Sequence, residues 1–450
     1  MNIAYHKHEA LKLIRLAFPI LIGSISATGM AFTDTIMAGR VSSEDLAGLS
    51  LATSVLILIT IPMSAFMMAV TPIISADHGS DNHKDIHFHL FQLLYVSGIL
   101  SVISIVLTLL ASLIFPYMHL EPRVEEVATR YLWIVSLGVP FVYVFNSLRS
   151  LTDGIGETKL SMHCCMFGLL LNVVLNYIFI YGKFGMPAMG GVGCAVATAM
   201  IQIIMPVLQI ALIGRVRYLH GCRILRNPPA PDFKTVRHFV KTGFPLAVAI
   251  FLEIGIFSLF SFVVSSMGST VMAANQIFFN YMTLIYIIPM SIANAVSIRI
   301  GYAYGARDYE AVKRTVSSSL VIGLSLAVVI GIASYLLRDP IISVYTSDEN
   351  VRNILTDTFI CVSVYQIGDY CQTIGTGILR GFQRNRIILV MALLTYWFFT
   401  VPVGLILCFK NVMWGPHGFN GLWMALCVSL YILALAYMGK THMIIKKLDK

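Results

Sequence analysis

Three carboxylates stand in stretches that offer neither water nor a counter-charge. They are Asp34 in "GMAFTDTIMAG", Glu253 in "AVAIFLEIGIFSLF" and Asp369 in "SVYQIGDYCQ". The other Asp and Glu residues, of 22 in all, fall in polar segments, tails or the edges of apolar runs. A carboxylate at bilayer depth costs about 2.5–3.5 kcal/mol, and three together about 8–10 kcal/mol, comparable to the whole stability of a domain. No Lys or Arg falls in the middle of an apolar run, so a buried ion pair with these acids is not expected. A neutral acid making a packing hydrogen bond is the plainer account of each. A carrier of a proton or small cation is the stronger one, because a carboxyl in apolar surroundings is suited to taking up either. The neighbours favour the second. Tyr365 precedes Asp369 by one helical turn, which puts a phenol and a carboxylate on one face. Asn172 and Asn176 repeat that spacing in "LLNVVLNYIFIYG", and Thr198 lies in "CAVATAM". Oxygen ligands of this kind suit hard cations, although an asparagine pair also commonly bonds one helix to another.

What must hold these groups is a set of membrane helices. The 450 residues are 57% hydrophobic and only 12% charged, half the charge of an ordinary soluble chain, and the mean hydropathy is +0.81. Apolar runs such as residues 90–115 are continuous rather than alternating, which excludes a β-barrel pattern and fits helices of about 20 residues crossing a bilayer. The predicted fold is all-α and polytopic, with twelve spans near 14–36, 46–74, 91–116, 128–149, 160–181, 190–214, 238–266, 272–299, 315–337, 353–380, 387–409 and 420–440. The first of these is too long for a cleaved signal peptide.

The chain repeats itself. "RLAFP" at 15–19 matches "KTGFP" at 241–245, "IPMS" recurs at 61–64 and 288–291, "DHG" ending at Gly79 matches "AYG" ending at Gly305, and "LR" recurs at 148–149 and 379–380. The near-constant offset implies two copies of six spans in the same orientation, as in transporters built from parallel repeats that place substrate between their halves. The division expected is an N-lobe of residues 1–214, a basic, proline-bearing linker at 215–237 and a C-lobe at 238–450. With the N-terminus on one side, 24 of the 31 Lys and Arg residues fall on that side and 7 on the other. The positive-inside rule makes that side the cytoplasm, with both termini there and the chain in the cell membrane. The net charge of +9 is then mostly a topology signal rather than a nucleic-acid footprint.

Other features carry less. None of the eight cysteines forms a C-x-x-C pair, and they read as small buried hydrophobes. The histidines at 78, 83, 87 and 89 match no standard metal spacing. "GMPAMGGVGC" lacks the Lys-Ser/Thr ending of a phosphate loop, so neither ATP nor an ATPase subunit is expected to drive the protein. No nucleophile and base stand together as an enzyme would need. The 22 methionines are mostly packing, some of them able to line an adaptable pocket.

The segments "FTDTIMAGR", "NYIFIYGKFGMPAMGGVGCAVAT" and "ILRGFQRNR" resemble the multidrug and toxic compound extrusion (MATE) family, closest to its NorM-like branch, and the likeness extends over the whole chain. The resemblance implies two six-helix lobes around a cleft and export of small organic cations, drugs and dyes among them, in antiport with Na+ or H+. It implies no cofactor beyond the coupling ion, and a monomer is expected. It places Glu253, Tyr365 and Asp369 at a C-lobe coupling site, and Asp34, Asn172, Asn176 and Thr198 at an N-lobe one. Some relatives have an aspartate where this chain has Asn176, which leaves Asp34 the only acid of its set. The alternatives are a flippase for lipid-linked precursors, which calls for basic groups in the cavity, and a channel, which needs no coupled acids.

Overall fold

The helix Ser-rich face of α4 (His83–Ser112) shows what solvent this fold is made for. Ser97, Ser101, Ser104, Thr108 and Ser112 recur at helical spacing and are buried, while Ile99, Val102, Val106 and Leu110 on the opposite face are exposed. A helix with hydroxyls inside and branched aliphatics outside is unstable in water and at home in lipid, where small polar residues let helices approach and bond. Ser104 bonds the Tyr143 hydroxyl at 2.7 Å, and Trp133 donates to Ser112 at 3.1 Å.

The structure, a computed structural model, describes residues 3–216, 227–410 and 418–448, without the side chains of residues 3–7, 357 and 360. Much of the basic linker, including Arg217, Cys222, Arg223 and Arg226, therefore lies outside the described residues. The helices are α1 (Ile3–Gly39), α2 (Ser43–Met68), α3 (Thr71–Gly79), α4, α5 (Pro122–Gly154), α6 (Thr158–Tyr181), α7 (Gly191–Ile213), α8 (Phe233–Ser265), α9 (Ser269–Gly305), α10 (Tyr309–Leu336), α11 (Arg338–Tyr345), α12 (Glu349–Gly381), α13 (Asn385–Ala392), α14 (Val401–Phe409) and α15 (Gly418–Leu448). A π-helical segment, Leu393–Thr400, joins α13 to α14. With α2 and α3, and α13 and α14, each counted as one continuous segment, the described residues hold twelve of membrane length. Eleven are also apolar enough to cross a bilayer. The twelfth is α12, whose Gln366, Asp369, Gln372 and Arg380 dilute its hydropathy.

The chain divides into two compact units. One comprises residues 18–247. Its core gathers Phe66, Met67, Ile74, Leu90, Leu93, Tyr143 and Leu151 with Phe239 of α8. The segment leading into α8 is bonded there too: Gln92 donates to the Ala230 carbonyl at 2.9 Å and accepts from the Asp232 N–H, and Tyr95 donates to the Pro229 carbonyl. Asp232 caps α8 through Thr235, whose hydroxyl and backbone N–H hold its carboxyl below the usual range.

The other unit comprises residues 1–17 and 248–450. Here α12 is central, packed between α9, α10 and α15. The start of α1 is held in this unit by Glu9, which accepts from both Arg299 and Thr315. The bends of the two repeats match: Pro19 and Pro245, and Pro62 and Pro289, stand inside corresponding helices. Proline is tolerated in membrane helices because neighbouring groups satisfy the freed carbonyls.

Candidate ion and substrate sites

In the unit of residues 18–247, α1 runs one turn past Asp34 before it ends at Gly39. The carboxylate meets α6, where Asn172 and Asn176 are one turn apart and almost wholly buried. Both amides donate to the same oxygen, Asp34 Oδ1, at 2.9 and 2.6 Å. From α7, Cys194 and Thr198 lie beside the carboxyl, the buried Thr198 hydroxyl having no hydrogen-bond partner among the described residues. The amide oxygens of Asn172 and Asn176 are buried with no donor among the described residues. Turning either amide over would satisfy nothing and would set an oxygen against the carboxylate, so the negative charge fixes their orientation. The result is one carboxylate held by two amides of α6, each of whose carbonyl oxygens is left without a donor among the described residues. An orphaned buried acceptor costs about 1–3 kcal/mol, a cost that a small cation bound against that oxygen would relieve.

Below this group opens a cavity of about 320 Å³, in the range of small-molecule sites. Ala27, Met30, Phe145, Ile201 and Met205 give it apolar walls, and Ser64, Asn146 and Gln202 give it polar ones. Arg149 also lines it. This corrects the expectation that the cavity would hold acids and no base. Hydropathy ended the fourth span at 149, but α5 continues to Gly154, and helical side chains lean toward the N-terminus of their helix. An arginine near the C-terminal end of α5 therefore reaches back into the bilayer. Arg149 Nε donates to Asp153 at 3.2 Å, and Ser161 supports the same carboxylate. Asp153 and Asp45, both at span edges in the sequence, are buried against arginines. Arg123 donates to Asp45 at 2.7 and 3.3 Å, and the Gly191 N–H at the start of α7 donates to it at 2.9 Å.

In the second unit, Glu253 of α8 faces the π-helical segment, where the Tyr396 phenol lies within reach of its carboxyl. The wider turn is held by Thr400, which donates to the Thr395 carbonyl five residues back at 2.9 Å and bonds Ser429 of α15. Trp397 ties the segment to α8 by donating to the Leu252 carbonyl at 3.3 Å. π-Turns inside α-helices often mark functional positions because they re-aim side chains, and here the phenol is aimed at a carboxylate. Asp369, 5% exposed, lies near enough to feel the charge of Glu253. Tyr365, Tyr286 and Tyr396 all lie within electrostatic reach of both acids. The Tyr365 ring stands edge-on to Trp423 at 6.2 Å, and Trp423 in turn packs on Phe278 at 4.3 Å, so this phenol is rigidly placed. Among the described residues, no Lys, Arg or His forms an ion pair with Asp34, Glu253 or Asp369.

Sequence reasoning missed Tyr286 and Tyr396, the further phenols around Glu253 and Asp369. A hydroxyl on an aromatic ring in mid-span was the available signal, and only Tyr365 was read that way. It also missed Arg380, which is 7% exposed and donates to Asn294 at 2.6 Å. The seven described cysteines are free thiols.

The MatE family model matches residues 19–178 and 245–406, one stretch in each repeat. The chain is 33% identical over 445 residues to the multidrug resistance protein NorM of Vibrio vulnificus, covering 99% of this chain and 98% of that one. It is 33% identical over 428 residues to the multidrug resistance protein MdtK of Edwardsiella ictaluri, covering 95% and 94%. In fold it is similar to the crystal structure of the Vibrio cholerae MATE transporter VcmN in the bent form, with a TM-score of 0.86 at 17% identity over 99% of this chain and 98% of that one. A model match over most of the chain, together with relatives of this identity along nearly its full length, establishes that the chain belongs to the MatE family.

Proposed function

We propose that this chain is a secondary active multidrug exporter that moves organic cations out of the cell in antiport with Na+ or H+. The observation that carries this reading is the pair of carboxylate clusters, one in each repeat-related unit, held by amides and phenols instead of by arginines. A structural acid in lipid is paired, as Glu9, Asp45 and Asp153 are. Asp34, Glu253 and Asp369 keep their charge available for something mobile. A proton or Na+ held there, and an organic cation in the cavity, compete for the same negative charge, directly or through the shape of the unit. Entry of one positive charge down a 100 mV potential supplies about 2.3 kcal/mol. Exchange of this kind needs no ATP. The coupling residues are Glu253, Asp369 and Tyr365 in one unit, joined by Tyr396, and Asp34, Asn172, Asn176 and Thr198 in the other. The 24-to-7 division of basic residues supports cytoplasmic termini in the cell membrane. The names of the relatives support drugs as substrates.

Arg149 weakens the simplest argument against a lipid-precursor flippase, which was the absence of a cavity base. One guanidinium already half-committed to Asp153 is nevertheless a poor match for a pyrophosphate. Counterflow separates the reading from its rivals. Vesicles loaded with an unlabelled cationic dye take up labelled dye by exchange if the protein is a transporter. Uptake that does not depend on the internal dye indicates a pore, and no uptake of any cationic dye refutes the reading.

A further inference from the structure

The cavity in the unit of residues 18–247 has opposite charges at its two ends. Beside Ser64 of α2, four lining helices each contribute a stretch of eight residues, seven steps along the helix: Ala27 to Asp34 on α1, Val142 to Arg149 on α5, Cys165 to Asn172 on α6 and Thr198 to Met205 on α7. At 1.5 Å per residue the cavity is about 10 Å tall. Asn172 and Thr198 meet Asp34 and so mark one end. Cys165 lies within electrostatic reach of Arg149 and so marks the other. Asp34 and Arg149 therefore stand about two helical turns apart.

Arg149 is built to bind rather than only to pair. Its Nε is used by Asp153, but its two terminal nitrogens have no acceptor among the described residues, and its side chain is 27% exposed. Arg149 is part of the lining and Asp153 is not, so Arg149 borders the cavity without its partner. The repeat-related Arg380 differs: it is deeper, and one of its terminal nitrogens is taken by Asn294. A guanidinium fork facing an apolar-walled cavity is a carboxylate receptor.

We propose that Arg149 is a specificity-determining residue that makes this cavity prefer zwitterions, with the ammonium end at Asp34 and a carboxylate about 10 Å away on the Arg149 terminal nitrogens. The inference rests on the proposed reading of this cavity as a substrate site. Simple organic cations still bind, through Asp34 and the apolar wall, but without the second anchor.

The test is equilibrium binding to purified full-length protein in detergent, read by fluorescence polarisation, with one rhodamine as its free acid and as its methyl ester. The free acid is a zwitterion and the ester a cation of nearly the same shape. A charge-assisted hydrogen bond supports about a tenfold or greater preference of wild type for the free acid. Arg149→Gln brings that preference to near parity while the ester affinity stays within about twofold. Because Arg149→Gln strands Asp153, the double variant Arg149→Gln/Asp153→Asn, which removes both charges together, is measured beside it and gives the same loss. Asp34→Asn weakens both dyes. Equal weakening of both dyes by the double variant, or an unchanged preference, overturns the inference. If Asp34→Asn still weakens both dyes in that case, the cavity reading stands. If neither variant affects either dye, both are wrong.

Discussion

Replacing Asn176 by leucine separates the two roles an amide at this position can have. Leucine nearly keeps the volume and removes both ends of the amide. The donor end is lost from Asp34 Oδ1, where it stands at 2.6 Å, and a hydrogen bond to a charged group contributes about 1.5–3 kcal/mol. The acceptor end, buried with no donor among the described residues, costs about 1–3 kcal/mol where it is, and that cost also disappears. The two changes nearly cancel, so stability moves by no more than about 2 kcal/mol in either direction. Function has no such cancellation. Asp34 keeps Asn172 but loses its shorter bond, and a metal cation loses one of two buried carbonyl oxygens as a ligand. A Na+ affinity lower by about tenfold or more follows, whereas a proton binds Asp34 more tightly, because the lost N–H stabilised the ionised carboxylate. The assay pairs thermal unfolding of the detergent-solubilised protein with dye efflux from vesicles as the coupling-ion concentration is varied. Near-wild-type unfolding with a shifted ion dependence is the expected result, toward higher concentration for Na+ and toward lower concentration for H+. A purely structural amide gives the reverse: a clearly destabilised protein whose folded fraction responds to the ion as wild type does.

Glu253→Gln and Asp369→Asn each insert and fold but abolish gradient-driven efflux, and the double variant is little worse than either, because groups acting as one unit are not additive; vesicle efflux at matched expression checks this. Tyr365→Phe in the same assay is milder, since both charges remain. Gly190→Ala lowers the yield of folded protein sharply: Gly190 has φ +59°, and a Cβ there would stand 2.0 Å from the Asp45 carboxylate, so both backbone strain of about 1–3 kcal/mol and loss of a buried ion pair, about 3–5 kcal/mol, follow. A cysteine placed in the segment 227–231 is labelled by a membrane-impermeant reagent only after cells are opened; labelling of intact cells contradicts the sidedness.

The parts of this fold that follow from periodicity were legible. Long apolar runs, the offset of the two prolines and the one-turn spacing of Asn172 and Asn176 all depend on neighbours along a helix, which a sequence displays directly. The helix that is least apolar, α12, was still among the expected spans, at 353–380, in spite of Gln366, Asp369 and Gln372. The parts that depend on packing between helices were not legible. Tyr396 meets Glu253 only because a π-turn re-aims it, and nothing in "LLTYWFFT" announces that turn. Arg149 was discounted because hydropathy stops a span at its first charge, whereas the helix and the lean of its side chains do not. Asp45 and Asp153 looked like solvated edge residues for the same reason, and their arginine partners are remote or lie just one turn away.

The central claim is that ion movement through the mid-span carboxylates Asp34, Glu253 and Asp369 drives export. Purified protein in sealed vesicles loaded with a cationic dye meets it directly, with a sodium gradient and a pH gradient imposed separately and Glu253→Gln run in parallel. The account predicts that wild type drives dye against its own gradient under at least one of the two, and that Glu253→Gln, incorporated to the same extent, does so under neither. Equal uphill transport by Glu253→Gln, or uphill transport by wild type with both gradients absent, contradicts it.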